Sequence, residues 1–297
     1  MIIANHNEVT ADALAVMART ADPRQREILT ALVEHLHAFV LETRLTEAEF
    51  RQGAALLNEM GKLTNDSHNE MVLMAGSLGV SSLVCLLSNG NNGNTETSHS
   101  MLGPFWRMHS PRTENGGSIV RSATPGDQLF VTARVVDGTG KPIEGAEVDV
   151  WHASPVGLYE NQDPEQAEMN LRGKFTTDTD GRFWFRTVRM VGYPIPTDGV
   201  VGRLLRAQAR HPFRPAHLHA LIVKHGYKVL ISQVYDPQDP HIESDVQFGV
   251  TKALLGRYIR HDESHPSDTS VVAPWYSLDY TYVVEPGETV LPRPPIK

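Results

Sequence analysis

Hydrophobic positions in the first hundred residues recur at helical spacing. Asp22-Pro23 reads as a capping residue followed by proline at the first helical position. Behind it, Ile28, Leu29, Leu32, Val33, Leu36, Phe39 and Val40 mark one face of a helix. Thr46 to Glu49 has the spacing of a capping box, and Phe50, Ala54, Leu57 and Met60 follow on one face. A third helical stretch runs through Met71, Leu73, Met74 and Leu78. Gly79 interrupts it, and SSLVCLL (81–87) predicts one more short apolar helix. Residues 88–100 (SNGNNGNTETSHS) have no period and read as a polar connection.

From there the period becomes two. Leu129, Val131, Ala133 and Val135 alternate with polar or small residues, Asp137 to Gly140 marks a turn, and GAEVDVWH (145–152) alternates again. Asp178 to Gly181 introduces RFWFRTV, and residues 215–225 and 227–235 read as consecutive strands joined at Gly226. Short strands are expected around 280–284 (YTYVV). Helices first and strands afterwards predict an α+β protein: a helical N-terminal region over 1–100, then an antiparallel β-sandwich domain over 101–297.

Composition narrows the function classes. The chain has 297 residues, with 27 Lys and Arg against 35 Asp and Glu, a net charge of −8. An acidic chain without a basic block lacks the footprint for phosphate neutralisation, so no nucleic-acid partner is expected. No apolar run approaches the roughly 20 residues that span a bilayer, and the N-terminus has no basic-then-apolar leader pattern, so the expected compartment is cytoplasmic, with no membrane partner. The single cysteine, Cys85, excludes an internal disulfide and a cysteine-rich metal site. It reads as a buried small hydrophobe in an apolar helix. Fourteen histidines leave histidine, carboxylate or tyrosinate as the ligands of any metal.

The sharpest local signal is His217-Leu-His219 inside a strand, because residues i and i+2 project from one face and can bind one ion. An isolated pair of this kind is more often hydrogen-bonded than ligating. Tyr159 and Tyr193 each sit in a loop held by glycine or proline, where ligands and rim aromatics are both at home. His152, His211 and His225 have no partner spacing beyond a hydrogen-bonded role, and Asp178/Asp180 reads as a turn.

Four motifs occur in one order: Leu102-Gly-Pro-Phe105, Val150-Trp-His-Ala153 with Gly157-Leu-Tyr159, Tyr193-Pro-Ile-Pro196, and Arg214-Pro-Ala-His-Leu-His219. Together they resemble the intradiol ring-cleaving dioxygenases, over nearly the whole chain. The helical N-terminus is similar to the catechol and hydroxyquinol 1,2-dioxygenase branch, where it forms a dimer interface. The resemblance implies one Fe(III) per subunit, held by Tyr159, Tyr193, His217 and His219. Two tyrosinates are hard anionic donors that favour ferric iron, and with two neutral imidazoles they leave a net charge of +1. It further implies Tyr193 as the tyrosinate that leaves and takes a substrate proton, Tyr159 as the retained one, Arg214 stabilising negative charge on the ring, and Gln233 orienting the site.

By the same resemblance, Leu102, Gly103, Pro104, Phe105, Ile195 and Pro196 form a flat slot for the ring, with Trp106 at its rim. Cys85 stands where hydroxyquinol enzymes commonly carry an aspartate. Gln247 places an amide where an aliphatic side chain is usual, within reach of a third ring hydroxyl. The implied substrate is hydroxyquinol, with catechol as the alternative, together with O2; the implied assembly is a homodimer, with room for an amphipathic lipid near Met60, Met71 and Met74. Two other classes fit part of the pattern: a non-catalytic β-sandwich binding module, and a cupin-like Fe(II) dioxygenase, which leaves both tyrosines unexplained.

Overall fold

The computed structural model describes residues 2–65, 68–88 and 97–295. Residues 89–96 of the expected polar connection lie outside the described residues. The chain forms two compact units, Met1–Glu59 and Met60–Lys297, and the division falls inside a helix, ahead of residue 100.

The first unit is helical: α1 (His6–Met17), α2 (Pro23–Thr43) and most of α3 (Glu47–Leu63). Asp22 accepts a hydrogen bond from the Gln25 amide at 2.6 Å, which satisfies one free N–H at the start of α2. The capping box forms as read. The Thr46 amide donates to Glu49 Oε2 at 2.9 Å, and the Glu49 amide donates back to Thr46 Oγ1 at 3.3 Å. The expected apolar face of α2 exists, yet the chain leaves it half uncovered: Ile28, Leu32, Leu36 and Phe39 are each 51–52% exposed.

The second unit begins with α4 (Glu70–Ser77) and α5 (Val80–Ser88), which meet at an 82° bend around Gly79. Two four-stranded sheets follow. One orders its strands β4 (Arg182–Val188), β1 (Gln128–Asp137), β10 (Trp275–Val284), β9 (Arg257–His261); the other β3 (Arg172–Thr176), β2 (Glu147–Trp151), β7 (His217–Val223), β8 (Leu230–Tyr235). A short ribbon pairs β5 (Tyr193–Pro194) with β6 (Phe213–Arg214), and α6 (Val200–Ala207) lies between them in sequence.

Period-two alternation sorts the side chains. Leu129, Val131, Ala133 and Val135 of β1 face Val148 and Val150 of β2 and Leu218, Ala220 and Ile222 of β7 across one buried core. Stacked rings of Phe175, Phe183 and Phe185 fill its middle. The late strand is longer than expected, since β10 adds Trp275 to Asp279 ahead of residues 280–284, and it pairs in parallel with β1 in an otherwise antiparallel sandwich. The alternation that buries Leu218 and Ala220 turns His217 and His219 to the outer face of their sheet. That face is covered by Trp106 and Tyr159, with Leu102, Phe105 and Tyr193 packed alongside.

Candidate metal centre

His217 and His219 are both 2% exposed, and their Nε2 atoms lie 3.1 Å apart. His217 Nδ1 is 2.7 Å from the Pro215 carbonyl. A carbonyl only accepts, so Nδ1 carries the proton and the neutral ring keeps the Nε2 lone pair free. Burial, helped by the positive Arg214, pushes His217 down to about 3. Burial and then His217 hold His219 well below the usual histidine range. The His219 ring stacks on Trp151 with centroids 4.7 Å and planes 9° apart. Gly103 closes in on the ring as well: its φ is +74°, and a Cβ there would stand 3.2 Å from His219 Cε1. Only glycine meets both demands easily.

Tyr159 arrives from a loop, and Tyr193, expected in a loop, from the short strand β5. After β2 the chain turns back so that Tyr159 is buried with Phe105 against its ring, centroids 4.5 Å apart. Gly157, at φ +79°, allows the loop to pass Tyr193; a Cβ there would stand 3.0 Å from Tyr193 Cβ. Tyr193 is fixed by its β5 pairing with Arg214. Its hydroxyl lies 3.2 Å from that of Tyr159 and 3.4 Å from His217 Nε2. Burial raises both phenols, Tyr159 well above the ordinary value with Tyr193 adding to the shift.

Two phenol oxygens and two imidazole nitrogens therefore converge, with neighbouring donors 3.1, 3.2 and 3.4 Å apart. Donors held about 2 Å from one ion sit about 2.8–3.3 Å from each other in octahedral or tetrahedral arrangement, so the set fits a single cation. Neutral histidines are ready to ligate, and a bound cation would reverse the burial penalty on the phenols by favouring their anions. No group of three or more His, Cys, Asp or Glu suited to a metal exists among the described residues, so the tyrosines are what completes this set.

A polar network backs the donors. Arg214, 5% exposed, donates from Nε to Asp245 Oδ1 at 3.2 Å, from Nη2 to Gln233 Oε1 at 3.0 Å, and also to the Tyr235 hydroxyl. Tyr235 in turn donates to Gln233 Oε1, and Gln233 Nε2 donates to the Met101 carbonyl at 2.7 Å. Burial would raise the Asp245 carboxyl, but Arg214 outweighs it and holds the group below the usual range. Arg214 is thus no surface residue. Asp245 and Tyr235 belong to no motif in the sequence; a period-two reading of β8 puts Tyr235 on the face of Gln233, whereas Trp151, legible only as part of the Val150-Trp-His-Ala153 motif, is brought opposite His219 by strand pairing. A second buried pair, Arg172 Nη2 with Glu160 Oε2 at 2.7 Å, flanks Tyr159, and Arg172 Nη1 donates to the Phe105 carbonyl at 2.7 Å.

The expected slot residues are distributed unevenly. Leu102 and Phe105 pack with Tyr159 and Tyr193, whereas Ile195 is buried with Val201, Leu205 and Val246. Pro104 and Pro196 are exposed. Trp106 is buried, donating from Nε1 to Asp149 at 3.2 Å, and so is wall rather than rim. Cys85 is half-buried on α5, less enclosed than read, and burial pushes its thiol up to about 11. Gln247 spends its amide N–H groups on Ser77 Oγ at 2.7 Å and the Leu73 carbonyl at 3.4 Å, both on α4. His152 is a satisfied core histidine between the Ala153 carbonyl and Thr187. Met71 is exposed, while Met74 packs on the Ile195 cluster.

A sandwich whose sheet face carries two histidines, with two tyrosines brought in beside them, gathers four nitrogen and oxygen donors at a point fit for one cation. Residues 101–283 match the family model described as dioxygenase, and residues 22–95 the model described as catechol dioxygenase N terminus. A hydroxyquinol 1,2-dioxygenase of a Rhizobium species is 38% identical over 274 residues, 91% of this chain and 92% of that protein. The catechol 1,2-dioxygenase of Candida albicans is 37% identical over 262 residues, 88% and 86% of the two chains. The crystal structure of hydroxyquinol 1,2-dioxygenase from Pseudomonas putida DLL-E4 superposes with a TM-score of 0.86 at 35% identity, covering 95% of this chain and 99% of that one. The chain belongs to the intradiol ring-cleavage dioxygenase family. Members of that family use non-haem iron, and the binding-module and cupin-like readings fall with this assignment.

Proposed function

We propose that this protein is a hydroxyquinol 1,2-dioxygenase whose Tyr159, Tyr193, His217 and His219 hold one Fe(III) per subunit. It would convert hydroxyquinol and O2 to 3-hydroxy-cis,cis-muconate, the enol form of maleylacetate. The observation that carries this reading is the convergence of both tyrosine oxygens and both histidine Nε2 atoms on one point. Bound ferric iron would supply a Lewis acid that acidifies the substrate hydroxyls and draws electron density from the ring.

The chain's own groups do the rest. Tyr193, the less enclosed of the two tyrosines, would be held as its phenolate beside a bound cation and is the group placed to take a substrate proton at its oxygen. Tyr159, clamped by Phe105 and fully buried, stays in place. Arg214 offers a fixed positive charge to the electron-rich ring, and Gln233, held by Met101 and Arg214, keeps that charge aimed. Leu102, Gly103 and Phe105 form the dry wall that orients the flat ring.

Catechol is the second reading, on a specific ground. The Gln247 N–H groups are already bonded to α4, and Cys85 offers only a protonated thiol, so neither is a strong partner for a third hydroxyl. The half-uncovered apolar stripe on α2 supports a homodimer, and an amphipathic lipid in the helical region belongs to the same reading. The cytoplasm is the proposed compartment.

The test is a visible spectrum of the iron-loaded protein before and after anaerobic hydroxyquinol, followed by kinetics on both substrates. A charge-transfer band that shifts, with a higher kcat/KM for hydroxyquinol than for catechol, is the expected result. A colourless iron-loaded protein would remove the tyrosines from the ligand set.

A further inference from the structure

Glu70 opens α4, and its side chain is 2% exposed. Its Oε1 accepts the Val201 amide at 2.8 Å across 131 residues of sequence. Val201 lies in the first turn of α6, where free N–H groups face outward. The residue preceding that helix is Gly199, which has no side chain to cap it. Glu70 fills that role from outside, and a Cβ at Gly199 would collide with its carboxylate. The other oxygen is 2.6 Å from His68 Nε2, so the carboxylate is held from both sides, and the Glu70 backbone N–H donates to Thr64 Oγ1 at 3.2 Å. One turn on, Leu73 and Met74 pack against Ile195, Val201, Leu205 and Val246.

We propose that Glu70 is a positioning residue for substrate binding: by capping α6 it latches α4 to the segment 193–201. That segment begins with Tyr193, includes Ile195, which is buried against Val201 and Leu205, and ends at the capped amide. Between Ile195 and Val200 it has no regular structure of its own. An anchored far end fixes Ile195 against α6 and so steadies the segment that carries Tyr193, in the geometry the ring needs before any chemistry begins. The inference rests on the ring-cleavage reading for its kinetic readout, but the latch itself has a readout independent of substrate.

Glu70→Ala, Glu70→Gln and Gly199→Ala are compared with wild type in the iron-loaded protein. Loss of a cap predicts a KM for hydroxyquinol about fivefold higher in Glu70→Ala, with kcat within about twofold of wild type. Gly199→Ala, which pushes the carboxylate away, raises KM in the same sense. Glu70→Gln keeps an acceptor oxygen and restores KM. Amide hydrogen exchange over residues 195–202 is faster in Glu70→Ala and Gly199→Ala and near normal in Glu70→Gln. Lower thermal stability with KM and exchange at wild-type values would overturn the proposal, as would equal effects of Ala and Gln. Should Glu70→Ala fail to fold, Gly199→Ala against wild type decides alone. If wild type turns over neither hydroxyquinol nor catechol, the functional reading fails and the exchange comparison still tests the latch.

Discussion

The side-chain amide of Gln247 occupies the space that any side chain at position 76 would need: a Cβ on Gly76 would overlap Oε1 and stand 2.7 Å from Cδ. The two residues are 171 apart in sequence and interlock a loop beside Arg214 with α4. Gly76→Ala is expected to force the amide off Ser77 and Leu73 and to cost about 1–3 kcal/mol, the usual range for overpacking. Gln247→Ala makes room for the methyl group. The double variant should then be more stable than the two single losses added together, and a double-mutant cycle in urea measures the difference.

Asp245 is the counter-ion of a buried arginine, with Asp245 Oδ2 3.1 Å from Arg214 Nη2 and the two side chains 2% and 6% exposed. Its removal in Asp245→Ala strands that charge and is expected to cost about 3–5 kcal/mol in stability. Asp245→Asn retains an acceptor for Arg214 Nε and loses less. Equilibrium urea unfolding of both variants checks the order. Equal losses would show that the charge of Asp245 contributes nothing beyond its shape.

Tyr193→Phe removes the proposed proton acceptor and leaves the three other donors in place. Ferric loading, read by metal analysis, should persist, while kcat falls by about 100-fold or more. Tyr159→Phe should instead weaken iron retention, since Tyr159 is the more enclosed donor. Full activity in Tyr193→Phe would remove the proton-acceptor role.

His152 supplies a pH-dependent contribution to stability of definite sign. Burial pushes it down to about 4, while in the unfolded chain a histidine has its ordinary value of about 6.5. Between those values the unfolded state takes up a proton that the folded state refuses. Stability is therefore intact above about pH 6.5 and falls as pH drops towards 4, by up to about 1.4 kcal/mol per pH unit from this residue. Urea midpoints of the iron-free protein at pH 7, 6 and 5 should show the slope. His152→Gln, which can still bond Thr187, should reduce it by about one proton.

Local pattern alone determined much of this protein. The 3.6-residue period and its caps placed α2, α3, α4 and α5, and alternation placed β1, β2, β4, β7 and β8. A spacing of two on a strand puts His217 and His219 on one face whatever surrounds them. The order of motifs located both tyrosines and named the family. Those signals are legible because each depends on a few consecutive residues and a fixed backbone period.

Tertiary structure decided which groups meet. α6 escaped notice because its eight residues follow a proline-rich loop and are capped by Glu70, far away in sequence. β9 and the first half of β10 are ordered by pairing with neighbours rather than by a strong alternation of their own. Asp245 reads as one acid in a polar loop until the fold brings it to Arg214, and Gly76 reads as a weak point in a helix until Gln247 fills its space. Even the free Nε2 of His217 depends on the carbonyl its other nitrogen meets. Such pairings have no period along the chain, and their energies arise only when burial removes water and leaves each polar group one partner to find.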